Sequence, residues 1–231
     1  MKLLAIGDTH GKDDWKMLVN MPDLDRFIFI GDYFDSFLLS APEQINNFLD
    51  IIAFKQAHPE KVILLFGNHD FHYLPIARQR GETYSGFQDH YAPQIGELIV
   101  EHIKLLQMCY REGDYLFSHA GVTHTWLNRA GYQDGDAASF INALFKTEPE
   151  KFLFNGWNPY GDNITQSPIW VRPASLKKNA YNYETIKQVV GHTRVEKLEV
   201  VKSRYFFIDT LDSSREYLVV EEGKAHAVKL A

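Results

Sequence analysis

Polar side chains that bind metal ions recur along this chain in short clusters, most of them directly after an apolar run. The clusters combine carboxylates, a carboxamide and imidazoles, each beside or close to a glycine: Asp8-Thr9-His10, Asp32 with Asp35, Asn68-His69-Asp70, His119 and His192. Carboxylate oxygens and imidazole nitrogens delivered from several strand ends are the ligands that a site for two divalent metals requires. The pattern therefore predicts a metal-dependent hydrolase.

Short apolar runs precede the clusters, and runs of this length are typical of strands buried on both faces of a sheet. These predicted strands are Lys2–Ile6, Phe27–Ile30, Val62–Phe66, Tyr115–Ser118 and Gln188–Val190. Helical spacing of apolar residues predicts helices at Pro42–Ala57, at Pro93–Tyr110 and around Asp136–Lys146. Three later runs, at 205–209, 217–220 and 225–230, predict a closing antiparallel meander. The alternation of strands and helices favours an α/β core.

The bulk composition is that of an ordinary globular protein. A chain of 231 residues with 23% charged residues predicts one domain over residues 1–231. The net charge of −6 argues against long nucleic acids and anionic membranes as partners. A lone cysteine, Cys109, fits a reducing compartment and predicts a buried structural thiol. No apolar run is long enough to span a bilayer, and the N-terminal run is too short for a signal peptide. We therefore expect a cytoplasmic protein with no membrane partner.

The segment at about 122–173 differs from the rest because it lies between two metal-ligand clusters and is rich in loop residues. It predicts a lid or a substrate-selecting surface, and an ordinary surface excursion packed on its own aromatic residues is equally consistent with its composition. Trp157 and Tyr160 within it could stack on a nucleobase, although a local core is the more common role of such residues.

The motifs together resemble the signature of the calcineurin-like metallophosphoesterase family. The matching stretches are Gly7-Asp8-Thr9-His10-Gly11, Gly31-Asp32-Tyr33-Phe34-Asp35, Gly67-Asn68-His69-Asp70, Ser118-His119-Ala120-Gly121 and Gly191-His192-Thr193. The resemblance implies a four-layer α/β/β/α sandwich with a dinuclear metal centre at its edge. It also implies that Asp8 and His10 bind one ion, that Asp32 bridges, and that Asn68, His119 and His192 bind the second. In the same way it implies that His69 is an acid toward the leaving group and that Asp35 orients it.

The last motif narrows the resemblance to one branch of the family. Arg194 stands where many phosphodiesterases of the family have a second histidine, so the chain looks more like serine/threonine protein phosphatases and symmetrical diadenosine tetraphosphatases. Ile208-Asp209-Thr210 and Trp170-Val171-Arg172 also resemble that branch. Ser36-Phe37 replaces the Arg-Gly that usually follows the second motif, which puts protein-phosphatase activity in doubt. Arg172 is then the first candidate for a phosphate clamp, and Arg194 is the second.

These features predict a phosphoesterase in which a hydroxide, activated by two divalent metals, attacks phosphorus in line. The expected ions are Mn²⁺, with iron or zinc as alternatives, because the mixed nitrogen and oxygen ligands suit all three. The expected substrate is a phosphomonoester or a nucleoside polyphosphate, presented by a small molecule, a nucleotide or a phosphoprotein. The alternative is a non-catalytic interaction module that keeps the fold, and the complete set of metal and acid residues disfavours it.

Overall fold

This computed structural model describes residues 1–155 and 160–229, and its strands and helices have the following bounds. The strands are β1 (Lys2–Ile6), β2 (Arg26–Phe29), β3 (Val62–Leu65), β4 (Leu106–Gln107), β5 (Cys109–Glu112), β6 (Tyr115–Ser118), β7 (Lys187–Val190), β8 (Glu199–Val201), β9 (Tyr205–Phe207), β10 (Glu216–Glu221) and β11 (Lys224–Lys229). The α-helices are α1 (Ala41–Ala57), α2 (Asn68–Phe71), α3 (Pro75–Gln79), α4 (Ala92–His102), α5 (His124–Ala130), α6 (Ala137–Thr147) and α7 (Pro173–Asn179).

The strands form two sheets in which the metal-ligand loops follow parallel strands. The first sheet has the order β11-β10-β1-β2-β3-β4, with β1 to β4 parallel and β10 antiparallel to β1. The second has the order β5-β6-β7-β9-β8, with β6, β7 and β9 parallel. Because parallel strands end at the same edge of a sheet, the loops that follow them meet there.

Two-residue alternation along the strands builds a sandwich with helices outside. In β1, Leu3 and Ala5 pack in the apolar layer between the sheets, whereas Leu4 and Ile6 pack on the side of helix α1. On the outer face of the second sheet, Leu176 of α7 packs with residues of β7 and β9. The layers are therefore helix, sheet, sheet and helix, which confirms the predicted four-layer α/β/β/α sandwich.

Most predicted elements are confirmed, and two predictions are wrong. The helix predicted at Pro93–Tyr110 ends at His102, because Leu106 and Gln107 instead pair with β3 as a short edge strand. The predicted closing meander does not form. Strand β9 joins the second sheet parallel to β7, and only β10 and β11 form an antiparallel hairpin, on the first sheet. The residues between β9 and β10 thus cross from one sheet to the other.

The lone cysteine lies where the sequence predicted it. Cys109 has no exposed surface and is a free thiol in β5, and burial raises its pKa. Within the described ranges, none of the helices is both long and apolar enough to cross a membrane.

Candidate metal centre

Five loops bring the predicted site residues together at the carboxyl ends of β1, β2, β3, β6 and β7. Ligand atoms of Asp8, His10 and Asp32 all lie within 4.8 Å of one another, and so do ligand atoms of Asp32, His119 and His192. Asp32 therefore belongs to both groups, as a bridging carboxylate would. Asn68 lies with the second group, since its Oδ1 is 2.9 Å from His119 Nε2 and 2.7 Å from His192 Nδ1.

Backbone carbonyl groups fix which nitrogen of each histidine faces the site. His10 Nδ1 donates to the Phe34 carbonyl at 2.5 Å, and His119 Nδ1 donates to the Ile30 carbonyl at 3.1 Å. In His192 the roles of the nitrogens are reversed, because Nε2 donates to the Trp170 carbonyl at 3.1 Å. Histidines that bind metals in proteins are held in this way by a hydrogen bond from the second ring nitrogen.

The side-chain atoms that face the second group are nitrogens and oxygens of the kinds that bind metal ions. With Nδ1 of His119 and Nε2 of His192 protonated, the nitrogens that approach Asn68 Oδ1 are acceptors, and the Asp32 carboxylate lies 3.3 Å from His119 Nε2. Burial, followed by the charge of Arg172, lowers the pKa of His192 well below its ordinary value, so its imidazole is neutral. Converging lone pairs repel one another unless a cation lies among them. The donor set therefore fits a divalent metal ion.

Buried carboxylates supply the negative charge that a pair of cations would balance. Burial raises the pKa of Asp8 well above its ordinary value, and the neighbouring Asp209 and Asp32 raise it further. Asp209 lies between β9 and β10 and is 9% exposed; burial and Asp32 raise its pKa to about 6. The sequence offered Asp209 only as part of a resemblance. It follows an apolar strand, as the other clusters do, and that signal could have found it.

The backbone at the site adopts conformations that non-glycine residues rarely take. Four of the site residues have positive φ angles: His10 (42°), Asp32 (53°), Asp35 (69°) and His192 (62°). Close approach to a carboxylate explains one nearby glycine, because a Cβ atom at Gly191 would overlap Oδ1 of Asp8. Such strained positions cluster where a site must aim its side chains.

The Asp70 side chain connects the loop after β2 to the loop after β3. It is fully buried, and its carboxylate accepts hydrogen bonds from the backbone N–H groups of Asp32 (2.8 Å), Tyr33 (2.7 Å) and Gly67 (2.9 Å). The sequence placed Asp70 in a cluster but assigned it no role. Its structural role is to hold the loop after β2 against the loop after β3.

His69 and Asp35 form the pair that the sequence predicted. His69 Nδ1 is 2.7 Å from Asp35 Oδ2, and the histidine is one of the few site side chains with appreciable exposure. Burial alone would lower the pKa of His69, but the charges of Asp32 and Asp35 outweigh it, and the pKa is raised. His72 is fully buried, and its Nε2 lies 2.7 Å from Asp35 Oδ2.

The two candidate phosphate-binding arginines have different surroundings. The Arg172 guanidinium is anchored beside the metal ligands, where NH1 donates to the His192 carbonyl (2.9 Å) and to Thr193 Oγ1 (3.1 Å), and Nε donates to the Tyr160 carbonyl (2.8 Å). Its other terminal nitrogen makes no hydrogen bond to the residues that the structure describes. Arg194 is exposed, and its guanidinium donates to the Asp212 carbonyl.

An apolar tip lies two residues after Asp35, in place of the Arg-Gly pair. Phe37 and Leu38 are 80% and 84% exposed. The turn beneath them is well anchored, since Ser36 Oγ accepts from the backbone of Leu38 at 3.2 Å and Gln44 Oε1 accepts from the backbone of Ser36 at 3.1 Å. A positive charge for phosphate is thus absent from this turn, and an exposed apolar surface replaces it.

The 122–173 segment returns to the site at its end. The predicted helix around Asp136–Lys146 is confirmed as α6, with Asp136 at its N-cap. The Trp170 ring lies 5.9 Å from the His192 ring and 4.4 Å from the Tyr84 ring, measured between centroids. Tyr160 is 77% exposed, and Trp157 lies outside the described residues.

The chain belongs to the calcineurin-like phosphoesterase family, because residues 1–201 match that family. Among curated proteins it is similar to a symmetrical bis(5'-nucleosyl)-tetraphosphatase of Nitrosospira multiformis, with 26% identity over 134 residues. That alignment covers 54% of this chain and 46% of the relative, so the chain spans less than half the length of the relative that it matches.

Solved structures share the fold at low sequence identity. A cold-active protein-tyrosine phosphatase of a Shewanella species has a TM-score of 0.65 at 18% identity, covering 98% of this chain and 77% of that one. A protein serine/threonine phosphatase of Saccharomyces cerevisiae has a TM-score of 0.62 at 15% identity, covering 100% of this chain and 80% of that one. A metallophosphoesterase of Sphaerobacter thermophilus has a TM-score of 0.55 at 14% identity, covering 100% of this chain and 89% of that one. These likenesses confirm the family's α/β fold.

Proposed function

We propose that this protein is a metal-dependent phosphoesterase that hydrolyses a phosphomonoester or a nucleoside polyphosphate. The observation that carries the proposal is the convergence of the side chains of Asn68, His119 and His192 beside the Asp32 carboxylate. Carboxylate, carboxamide and imidazole groups that converge in this way form the kind of donor set that binds divalent cations. Membership of the calcineurin-like phosphoesterase family supports the same activity.

We propose two divalent cations at this centre, one held by Asp8 and His10, the other by Asn68, His119 and His192, with Asp32 between them. When bound, a pair of cations would lower the pKa of a water molecule toward about 7 and would polarise the phosphoryl oxygens. Mn²⁺ is the ion that we propose, with iron or zinc as alternatives, because the mixed nitrogen and oxygen donors suit all three.

The side chains around the centre supply the remaining steps. His69 carries the proton for the leaving group, since Asp35 binds its Nδ1 and leaves Nε2 for the substrate, and since its raised pKa favours the charged form. Arg172 offsets the charge that develops on the phosphoryl oxygens, because its guanidinium is anchored beside His192 with one terminal nitrogen available. Arg194 is the weaker candidate for phosphate binding, because its side chain is exposed and donates to the Asp212 carbonyl.

The substrate side of the proposal rests on the surroundings of the centre. The exposed Phe37 and Leu38 favour a substrate with an apolar or aromatic part over a densely charged phosphoprotein surface. The similarity to a symmetrical bis(5'-nucleosyl)-tetraphosphatase supports nucleoside polyphosphates as a substrate class. We further propose a single domain whose 122–173 segment selects the substrate, and a cytoplasmic location.

The test is turnover by metal-free protein reconstituted with Mn²⁺, iron or zinc. Four substrates are compared in parallel: p-nitrophenyl phosphate, its bis-ester, diadenosine tetraphosphate and a phosphopeptide. We expect metal-dependent cleavage and two bound ions per chain by elemental analysis. Asp32→Asn should abolish both the cleavage and the binding of two ions. Asp134→Asn, which changes an exposed aspartate in the same way, should leave cleavage and metal content unchanged.

Each result bears on a different part of the proposal. Cleavage of the phosphopeptide alone would contradict the substrate class that we favour. A protein that binds two ions and cleaves none of the substrates would support the non-catalytic module in place of the enzyme. A single bound ion in the active protein would contradict the dinuclear centre.

A further inference from the structure

The Asp35 carboxylate contacts a third side chain, Tyr73, in addition to His69 and His72. Asp35 is 2% exposed, and its Oδ2 lies 2.7 Å from His69 Nδ1. Its other oxygen, Oδ1, accepts a hydrogen bond of 2.5 Å from the Tyr73 hydroxyl. The two carboxylate oxygens therefore have separate hydrogen-bond partners, His69 at Oδ2 and Tyr73 at Oδ1.

The Tyr73 hydroxyl is itself oriented by the backbone. The N–H group of Gln88 donates to it at 2.9 Å, which leaves the hydroxyl proton to point at Asp35. Tyr73 is 1% exposed, and its ring stacks on Phe87 with centroids 4.8 Å apart and planes 17° apart. Burial, together with the charge of Asp35, raises the pKa of Tyr73, so the hydroxyl keeps its proton.

His72 contacts the same carboxylate but makes no hydrogen bond to it. Its Nε2 is 2.7 Å from Asp35 Oδ2 without the geometry of a hydrogen bond, and neither ring nitrogen has a hydrogen-bond partner among the described residues. Its ring is parallel to the Tyr84 ring, with 5.7 Å between centroids. His72 thus limits where Oδ2 can move, whereas Tyr73 supplies the directional bond.

We propose that Tyr73 is a positioning residue that acts through Asp35 to hold the His69 ring with Nδ1 toward Asp35 and Nε2 toward the leaving group, the orientation needed to protonate it. The inference rests on the proposed function. In that step the bond from phosphorus to the leaving oxygen breaks, and this oxygen keeps the electron pair and takes the proton from His69 Nε2. The oxygen of water forms the new bond to phosphorus, the water gives up one proton to solvent, and His69 regains a proton from solvent before the next turnover. Without the hydrogen bond to Oδ1, the carboxylate would be held through Oδ2 alone, and the orientation of the His69 ring would be less restricted.

Tyr73→Phe tests the proposal, because it removes the hydroxyl and keeps the buried ring. Tyr84→Phe is the matched control, because Tyr84 belongs to the same cluster of aromatic side chains. The Tyr84 hydroxyl donates to Glu82 at 2.9 Å and does not contact Asp35. Two substrates are compared in the manganese enzyme: phenyl phosphate, whose leaving group needs a proton, and 2,4-dinitrophenyl phosphate, whose leaving group departs as the anion.

For Tyr73→Phe we expect kcat on phenyl phosphate to fall about tenfold, which is the size of one hydrogen bond to a charged group, and kcat on 2,4-dinitrophenyl phosphate to change less than about twofold. Tyr84→Phe should match the wild type on both. An equal fall on both substrates would overturn the proposal, because a general structural disturbance acts on every substrate alike. Unchanged kinetics on both would overturn it as well.

A second readout does not depend on activity. In the metal-free protein, the ¹⁵N chemical shifts of His69, assigned with His69→Asn, report which ring nitrogen carries hydrogen. We expect protonated Nδ1 in the wild type and in Tyr84→Phe, and a mixture of forms in Tyr73→Phe. An unchanged His69 spectrum in Tyr73→Phe would overturn the inference about Tyr73. Failure of the wild type to cleave either substrate would instead overturn the proposed function.

Discussion

Asp70 offers the most direct test of how the site is held together. Its carboxylate is the acceptor for three buried backbone N–H groups, of Asp32, Tyr33 and Gly67. Asp70→Ala would leave all three without a partner. An unsatisfied buried donor costs about 1–3 kcal/mol, so the loss amounts to roughly 3–9 kcal/mol. Whole domains are stable by about 5–15 kcal/mol, so Asp70→Ala is expected to remove a large part of the free energy of unfolding.

Asp70→Asn gives the measurable version of this change. The amide keeps one oxygen, which can still accept from Asp32 and Gly67 as Oδ2 does now, but its NH₂ group would face the N–H of Tyr33. One unsatisfied donor remains, so the free energy of unfolding should fall by about 1–3 kcal/mol. Urea unfolding of the metal-free protein, followed by tryptophan fluorescence and circular dichroism, measures it.

The control for Asp70 is an exposed aspartate with an ordinary surface ion pair. Asp50 lies 2.7 Å from Lys16 Nζ on the outer face of α1, and Asp50→Asn should change the free energy of unfolding by about 0–1 kcal/mol. If Asp70→Asn were as stable as Asp50→Asn, the three hydrogen bonds of Asp70 would not be what holds the two loops together. Metal affinity should fall in Asp70→Asn alone, since both of its loops carry proposed ligands.

Three further changes test the proposed centre. His69→Asn should lower turnover by about two to four orders of magnitude with the metal content unchanged, as expected for a general acid, and loss of metal instead would contradict that role. Arg172→Ala should raise KM and the inhibition constant of inorganic phosphate while the fold persists by circular dichroism; unchanged kinetics would remove Arg172 from the site. Gly191→Ala should lower metal affinity in calorimetric titration, because the added Cβ overlaps Oδ1 of Asp8, whereas Gly113→Ala, where no atom lies near, should bind metal normally.

The strands and the candidate ligands could be predicted because both leave local patterns. An apolar run closed by Gly7-Asp8 or Gly67-Asn68 is visible within ten residues, and the fold places the ends of such runs together. The end of α4 could not be predicted in this way. Leu106 continues the helical spacing of apolar residues, and only its pairing with Leu64 of β3 makes it part of a strand.

The supporting contacts of the site are non-local, so no pattern in the sequence marks them. Asp70 and Tyr73 each act on residues close to 38 positions away, and Tyr73 resembles any other buried aromatic residue until its hydroxyl is placed against Asp35. The exchange of β9 into the second sheet was missed for a similar reason. The run Tyr205–Phe207 predicts a strand, but its partner β7 is set by the packing of the two sheets.

The left-handed backbone at His10, Asp32, Asp35 and His192 has a consequence for how this protein could change over generations. Each such residue costs of the order of 1–3 kcal/mol relative to an unstrained backbone, and glycine would relieve most of that cost. A laboratory population selected only for resistance to heat would therefore tend to accept glycine at these positions. Thermal stability would increase while the centre lost its side chains. Selection for heat resistance must accordingly be paired with a screen for turnover.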